Sequence, residues 1–323
     1  MDIRYKNAPV LVSADGHLSR SVPICLLQAG HSVTLVTKDI ASVSAGINKH
    51  VKDLSGKGVK KVPWSKLEIT NIFDSNFRRQ LAIAITGEDV LEKKAAIRQL
   101  ENYTHADSII AINTESIPLS VLQKDCDYPA RVVGLNWVEP AHTTFFLEVI
   151  TNQQTSKEVA SDLFRLAKAC WNKDPYLVCN DVSVRAKMFG AMVREAFFLV
   201  QNGYASVEDI DRACRNDAGY YLPFSGNFRY MDLMGVYAYG LVMKDLNPEL
   251  SRETVIPDFF KEIIRLGRTG MKTQEGFYDY EVEDAEYWEQ QFSKFSYEIQ
   301  KIIRKYPFNS IEPSIADDKS FLQ

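Results

Sequence analysis

Apolar residues along this chain fall into short continuous runs separated by longer stretches of helical period, and that alternation predicts the architecture. Pro9-Val10-Leu11-Val12-Ser13 reads as a buried strand, followed by a turn at Ala14-Asp15-Gly16 and a helix to Gln28 closed by Gly30. A second strand, Ser32–Thr37, follows at once. Strand, helix and strand at this spacing imply a parallel sheet packed by helices, the geometry of a nucleotide-binding half-domain. From Asp39 to Asn76 the pattern is weaker: a helix to Leu54, a Gly-Lys turn, then residues without a clean period, expected to form a helical or hairpin excursion. The rhythm resumes with strand Leu81–Ile85, helix Glu88–Tyr103 and strand Ser108–Ile112. Strands at Arg131–Trp137 and Phe145–Ile150, a helix Lys157–Trp171 and a strand Tyr176–Cys179 come next. Beyond Cys179 the pattern is helical only, at Val182–Asn202, Val207–Arg215, Tyr230–Lys244, Ile256–Leu266 and Asp284–Arg304. The expected fold is therefore an α/β domain, residues 1–180, followed by an all-α domain, residues 181–323, with the boundary near Asn180 and a loose polar tail from Pro307.

Composition narrows the function without naming it. The 323 residues exceed twice the usual domain of about 150. With 46% hydrophobic and 25% charged residues the chain is an ordinary globular one. Lys plus Arg number 38 against 42 Asp plus Glu, so the net charge of −4 offers no general attraction for nucleic acid or anionic lipid. No apolar run approaches the roughly 20 residues that span a bilayer, and the start lacks the layout of a secretory signal, so a cytoplasmic protein is expected. The five cysteines include no Cys-x-x-Cys pair; reduced thiols and no metal site are expected.

Five separated motifs carry a resemblance. They are Ala29-Gly30-His31-Ser32-Val33; Glu88-Asp89-Val90-Leu91-Glu92-Lys93-Lys94; Asn113-Thr114-Glu115-Ser116-Ile117-Pro118-Leu119; Arg131-Val132-Val133-Gly134-Leu135 with Pro140 and Leu147-Glu148-Val149; and Lys272-Thr273-Gln274-Glu275-Gly276-Phe277-Tyr278-Asp279-Tyr280. In this order the chain resembles the 3-hydroxyacyl-CoA dehydrogenases. The resemblance implies an α/β Rossmann-type domain that binds NAD, a C-terminal helical dimerisation domain giving a homodimer, and a small-molecule substrate of the acyl-CoA class in fatty acid metabolism.

Position by position, the resemblance also implies changes. The family's three fingerprint glycines fall on Ala14, Gly16 and Ser19, so only the middle one is kept; Ala14 restricts the turn and Ser19 is expected to crowd helix against strand. His17 and Leu18 complete this phosphate turn, and the ribose-binding acid at the end of the second strand becomes Thr37, with Lys38 or Asp39 as displaced substitutes. Glu88, Lys93 and Asn113 match cofactor-side positions; a spacing of five makes an internal Glu88–Lys93 pair unexpected and a surface role the simpler reading. At the reaction centre, the family's general base, a His, is replaced by Asn136, while its orienting partner Glu148 is kept. An amide cannot take and hold a proton near neutral pH. Glu115, Glu139 and Arg185 replace a Ser and two Asn, and three carboxylates are expected to converge on the one guanidinium. Three readings stand beside one another: a structural salt bridge filling a dead site, a carboxyl acting as acid or base on a different ligand, and slow residual redox chemistry. His142 is a candidate displaced base. In the second domain the family's Gly-Pro-Phe-Glu turn appears as Gly226-Asn227-Phe228-Arg229. The segment before Leu81 is shorter than the helical pair that helps hold CoA in the family, which argues against ordinary CoA binding.

Overall fold

A computed structural model describes residues 3–55, 62–74 and 79–308. The Gly56-Lys57 turn and nearly all of the tail from Pro307 lie outside the described residues. The chain divides into two compact units after Ala186, six residues beyond the expected Asn180.

The first unit is built on one eight-stranded sheet. Its strands are β1 (Val10–Ala14), β2 (Val33–Val36), β3 (Leu67–Thr70), β4 (Arg79–Ile85), β5 (Thr104–Ile112), β6 (Val132–Asn136), β7 (Phe146–Ile150) and β8 (Asp174–Val178), arranged in the order β3-β2-β1-β4-β5-β6-β7-β8. All neighbours are parallel except β6 and β7, which pair antiparallel and set Asn136 opposite Glu148. Helices α1 (Leu18–Gln28), α2 (Ile40–Ser55), α3 (Val90–Tyr103), α4 (Leu119–Gln123) and α5 (Lys157–Cys170) alternate with the strands. Alternate strand residues Leu11, Ala82, Ala84, Ile110, Ile112 and Val132 pack against Ile97 and Leu100 of α3 and Leu119 and Leu122 of α4. Their neighbours Val10, Val12, Ile83, Ala111 and Val133 are equally buried, so both faces of the sheet are covered. This is the Rossmann-type architecture.

Two departures from the sequence reading have clear causes. Strand β3 escaped the pattern because an edge strand of Leu-Glu-Ile-Thr, half-exposed with one neighbour, needs no apolar run. Strand β5 begins four residues earlier than expected because its first residues, Thr104–Asp107, are mostly polar and lie outside the core.

The second unit is helical: most of α6 (Val184–Gln201), then α7 (Val207–Ala213), a π-helical turn, α8 (Gly219–Met234), α9 (Val236–Leu246), α10 (Asp258–Arg265) and α11 (Asp284–Lys305). The expected helix over Tyr230–Lys244 is two, since Gly235 takes a φ of 105° that no continuing helix allows. Helix α8 starts 11 residues before Tyr230 and is kinked at Gly226, whose φ is 66°. Arg229 packs its guanidinium on the Phe308 ring, 3.9 Å from the centroid, and donates to the Phe308 carbonyl. Among the described residues no helix is long and apolar enough to cross a membrane.

Candidate active site

Open α/β sheets bind ligands beyond the carboxyl ends of their strands. In this chain those ends are tied together by side chains that imitate peptide groups. At the end of β5, Asn113 accepts from the Thr86 amide through Oδ1 (2.9 Å) and donates to the Thr86 carbonyl through Nδ2 (2.9 Å). One strand over, Asn136 repeats the motif: Oδ1 accepts from the Thr114 amide at 2.8 Å and Nδ2 donates to the Thr114 carbonyl at 2.7 Å. The second hydrogen of Nδ2 goes to Glu148 Oε2 at 2.9 Å. Both Asn136 amide hydrogens are thus committed, and one lone pair of Oδ1 remains.

Glu148 is fully buried and accepts three more bonds on Oε1, from the Tyr176 hydroxyl (2.9 Å) and the amides of Val184 (2.9 Å) and Arg185 (3.1 Å). The last two amides open α6, so the carboxylate sits at the positive end of that helix. Ser183 completes the start of α6 by accepting from the Ala186 amide at 2.9 Å. Burial and the adjoining Glu148 carboxylate push the Tyr176 phenol above its ordinary pKa, keeping it a neutral donor.

The three carboxylates do not converge. Arg185 Nη1 meets Glu115 Oε1 at 2.6 Å, a half-exposed pair of the kind worth on the order of 1 kcal/mol or less. Glu148 touches Arg185 only through the backbone amide. Glu139 belongs to another cluster, where it accepts from the Ser21 hydroxyl and lies 3.4 Å from His50 Nε2. His142 packs edge-on against His50, ring centroids 4.9 Å apart. Burial, His50 and Lys173 together depress its pKa to about 3, far too low for a base working at neutral pH.

The β1–α1 turn retains what a phosphate group needs. Gly16 adopts a φ of 76°, and a Cβ there would meet no heavy atom within 4 Å, so the backbone can be closely approached. His17 and Leu18 lead into α1, whose first turn holds no acidic residue to repel an anion. Ser19 is the residue expected to crowd helix against strand. It is fully buried and donates to the Gly16 carbonyl at 2.6 Å, which braces the turn. Ala14 ends β1, and Thr37, just beyond β2, donates to Asp15 Oδ1 at 2.9 Å.

Lys93 is fully buried rather than on the surface, with Nζ 3.1 Å from Glu88 Oε2 and 2.7 Å from the Asn113 carbonyl. Glu88 reaches Lys93 despite the spacing of five because it precedes the helix, which Asp89 caps, and turns back. Glu88 Oε1 also accepts from the amides of Glu115, Ser116 and Ile117 at 2.7–3.1 Å. Burial alone raises the Glu88 pKa, but those amides and the Lys93 ammonium outweigh it and hold the group below its ordinary value. Burial lowers the Lys93 pKa, with Glu88 offsetting part of the effect.

Family models match this architecture up to the start of α11. Residues 10–182 match the 3-hydroxyacyl-CoA dehydrogenase NAD-binding domain, and residues 184–280 match the C-terminal domain of the same enzymes. The chain belongs to the 3-hydroxyacyl-CoA dehydrogenase family. NAD is the cofactor of this family, and residues 10–182 are the domain that binds it. A 3-hydroxybutyryl-CoA dehydrogenase from Clostridioides difficile is 27% identical over 281 residues, 83% of this chain and 98% of that one. A 5-formyl-3-hydroxy-2-methylpyridine 4-carboxylate 5-dehydrogenase from Mesorhizobium japonicum is 28% identical over 217 residues, 67% of this chain and 70% of that one. The crystal structure of a dehydrogenase for the same pyridine compound, described as an NAD+-dependent dismutase, superposes with a TM-score of 0.85 at 22% identity, covering 92% of this chain and 98% of that one. That likeness is one of fold.

In this candidate site Asn113, just beyond β5, Asn136, at the end of β6, and Glu148, opposite it on β7, lie along one hydrogen-bonded rim, which continues through Lys93 and Glu88 to the 115–117 turn. Tyr176, Ser183 and Asp15 join the candidate site without having stood out in the sequence. Tyr176 sat inside an apolar run, whereas Ser183 is an N-cap residue just ahead of a helical period, a signal that was legible. The rim generates a pH prediction. Glu88 has a folded pKa below its reference of 4.5, so its contribution is complete above that value and is lost as the pH falls through the folded pKa. Unfolding free energies of wild type and Glu88→Gln should differ by a constant amount between about pH 7 and about pH 5, with the gap closing on further acidification. A gap that does not change with pH would refute the assignment.

Proposed function

We propose that this chain is an NAD-binding oxidoreductase of its family in which oxidation of the 3-hydroxyl of an acyl-CoA is impaired. One observation carries the reading: the family's base position holds Asn136, an amide whose hydrogens are spent on the Thr114 carbonyl and Glu148. When bound, NAD supplies a hydride acceptor at its nicotinamide. Gly16 and the first turn of α1 suit its pyrophosphate, judged by the open space in front of Gly16. The spare lone pair of Asn136 Oδ1 can orient a substrate hydroxyl but cannot remove its proton. Glu148 is occupied on both oxygens and is the group that orients Asn136 and the start of α6. A non-catalytic nucleotide- or acyl-CoA-binding role is the second reading, and the same commitment of Asn136 favours it.

Exposed apolar side chains on the second unit support the homodimer reading. Among the described residues 187–308, Tyr297 is the only buried large apolar side chain, while Phe228 and Tyr237 are 83% and 81% exposed and Leu233, Met234, Leu241 and Val242 are exposed beside them on α8 and α9. Large apolar side chains exposed in such number call for a cover, and a second copy of the chain provides an identical set.

Two measurements test these readings. General acid–base catalysis contributes about 10²- to 10⁴-fold, so purified protein with acetoacetyl-CoA and NADH should oxidise NADH at least about a hundredfold more slowly than a typical kcat of about 10 s⁻¹. Turnover at that typical rate overturns the reading. Sedimentation equilibrium should return twice the chain mass, with Phe228→Glu and Tyr237→Glu weakening association; a wild-type monomer at micromolar concentration contradicts the dimer.

A further inference from the structure

The end of β2 carries no acidic residue of its own for a ribose. It closes with Val36-Thr37-Lys38, and Asp39 lies beyond it at the start of α2, where its Oδ1 accepts from the Ser42 amide at 2.9 Å. In dinucleotide-binding folds a carboxylate at this point accepts from the adenosine ribose hydroxyls, whereas a cation there suits a 2′-phosphate. Taken alone, Thr37 and Lys38 present a hydroxyl and a cation, the second kind of end.

Asp15 reverses that balance from the neighbouring strand. Its Oδ1 is fixed by two donors, the Thr37 hydroxyl at 2.9 Å and the Lys38 amide at 3.0 Å. These bonds place a carboxylate at the carboxyl end of β2, one residue before Gly16. Its Oδ2 lies 3.7 Å from Lys38 Nζ, beyond hydrogen-bonding distance, and Lys38 is 85% exposed, so this oxygen keeps its acceptor capacity while offsetting the lysine charge. Thr37 itself is buried, which makes it a rigid anchor.

We infer that Asp15 is the residue that selects NAD over NADP in this chain, accepting from the ribose diol through Oδ2 and repelling a 2′-phosphate. The inference rests on the NAD-binding reading and adds to it a specificity determinant outside the position the family uses. Titration of the full chain with NADH and with NADPH, followed by quenching of its tryptophan fluorescence, tests it. Wild type should bind NADH at least about tenfold more tightly than NADPH. Asp15→Asn keeps an oxygen for Thr37 and the Lys38 amide but removes the charge; it should weaken NADH about tenfold and strengthen NADPH, abolishing the preference. Adding Lys38→Ala should remove the NADPH gain. Thr37→Val, which frees the carboxylate without removing it, should weaken NADH by a smaller factor and serves if Asp15→Asn fails to fold. Binding of NADH with a preference that Asp15→Asn leaves unchanged, or that is absent in wild type, overturns the role of Asp15 alone. Binding of neither nucleotide overturns it together with the NAD reading.

Discussion

The carboxylate of Glu148 is the contact on which the site depends. It is fully buried, rises from β7, and gathers donors from three other elements: the Asn136 amide of β6, the Tyr176 hydroxyl of β8 and the first two amides of α6. A buried charge is tolerated only where its lone pairs are satisfied, and here four donors and the positive end of a helix do so. The antiparallel pairing of β6 and β7 makes this geometry available, because it alone puts residues 136 and 148 directly opposite each other.

From that anchor a chain of peptide-like contacts runs across the strand ends. Asn136 bonds both backbone groups of Thr114, and Asn113 bonds both of Thr86. Lys93 joins the Asn113 carbonyl to Glu88, and Glu88 holds the turn from Glu115 to Ile117. Glu115 then reaches Arg185, so the rim returns to α6 through an exposed ion pair. The bonds at the sheet ends are buried or half-buried, while the ion pair that closes the rim is open to solvent. Such a network suits a surface that positions a cofactor, and the side chain it places at residue 136 is an amide.

The sheet was legible in the sequence because most of its strands are covered on both faces and so read as short apolar runs, which β3, half-exposed at the edge, does not. The Asn136 replacement was visible as a missing imidazole, yet its role as a strut was not, since hydrogen-bond partners 22 residues away leave no mark on local pattern. The expected meeting of Glu115, Glu139 and Glu148 treated matched positions as neighbours. Glu139 turns instead toward Ser21 of α1 and His50 of α2, contacts more than 85 residues distant in the chain. Asp15 was read as turn filler, and only the folded register of β1 against β2 brings it to Thr37.

Asn136 serves as a buried strut between β6, the end of β5 and Glu148. Equilibrium denaturation of Asn136→Ala tests it most directly, because the truncation strands the Thr114 amide and carbonyl and one bond of Glu148. Unsatisfied buried groups cost about 1–3 kcal/mol each, so a loss of at least about 3 kcal/mol in unfolding free energy is predicted. A loss below about 1 kcal/mol, as expected for a side chain that merely occupies an old active-site position, would contradict the account.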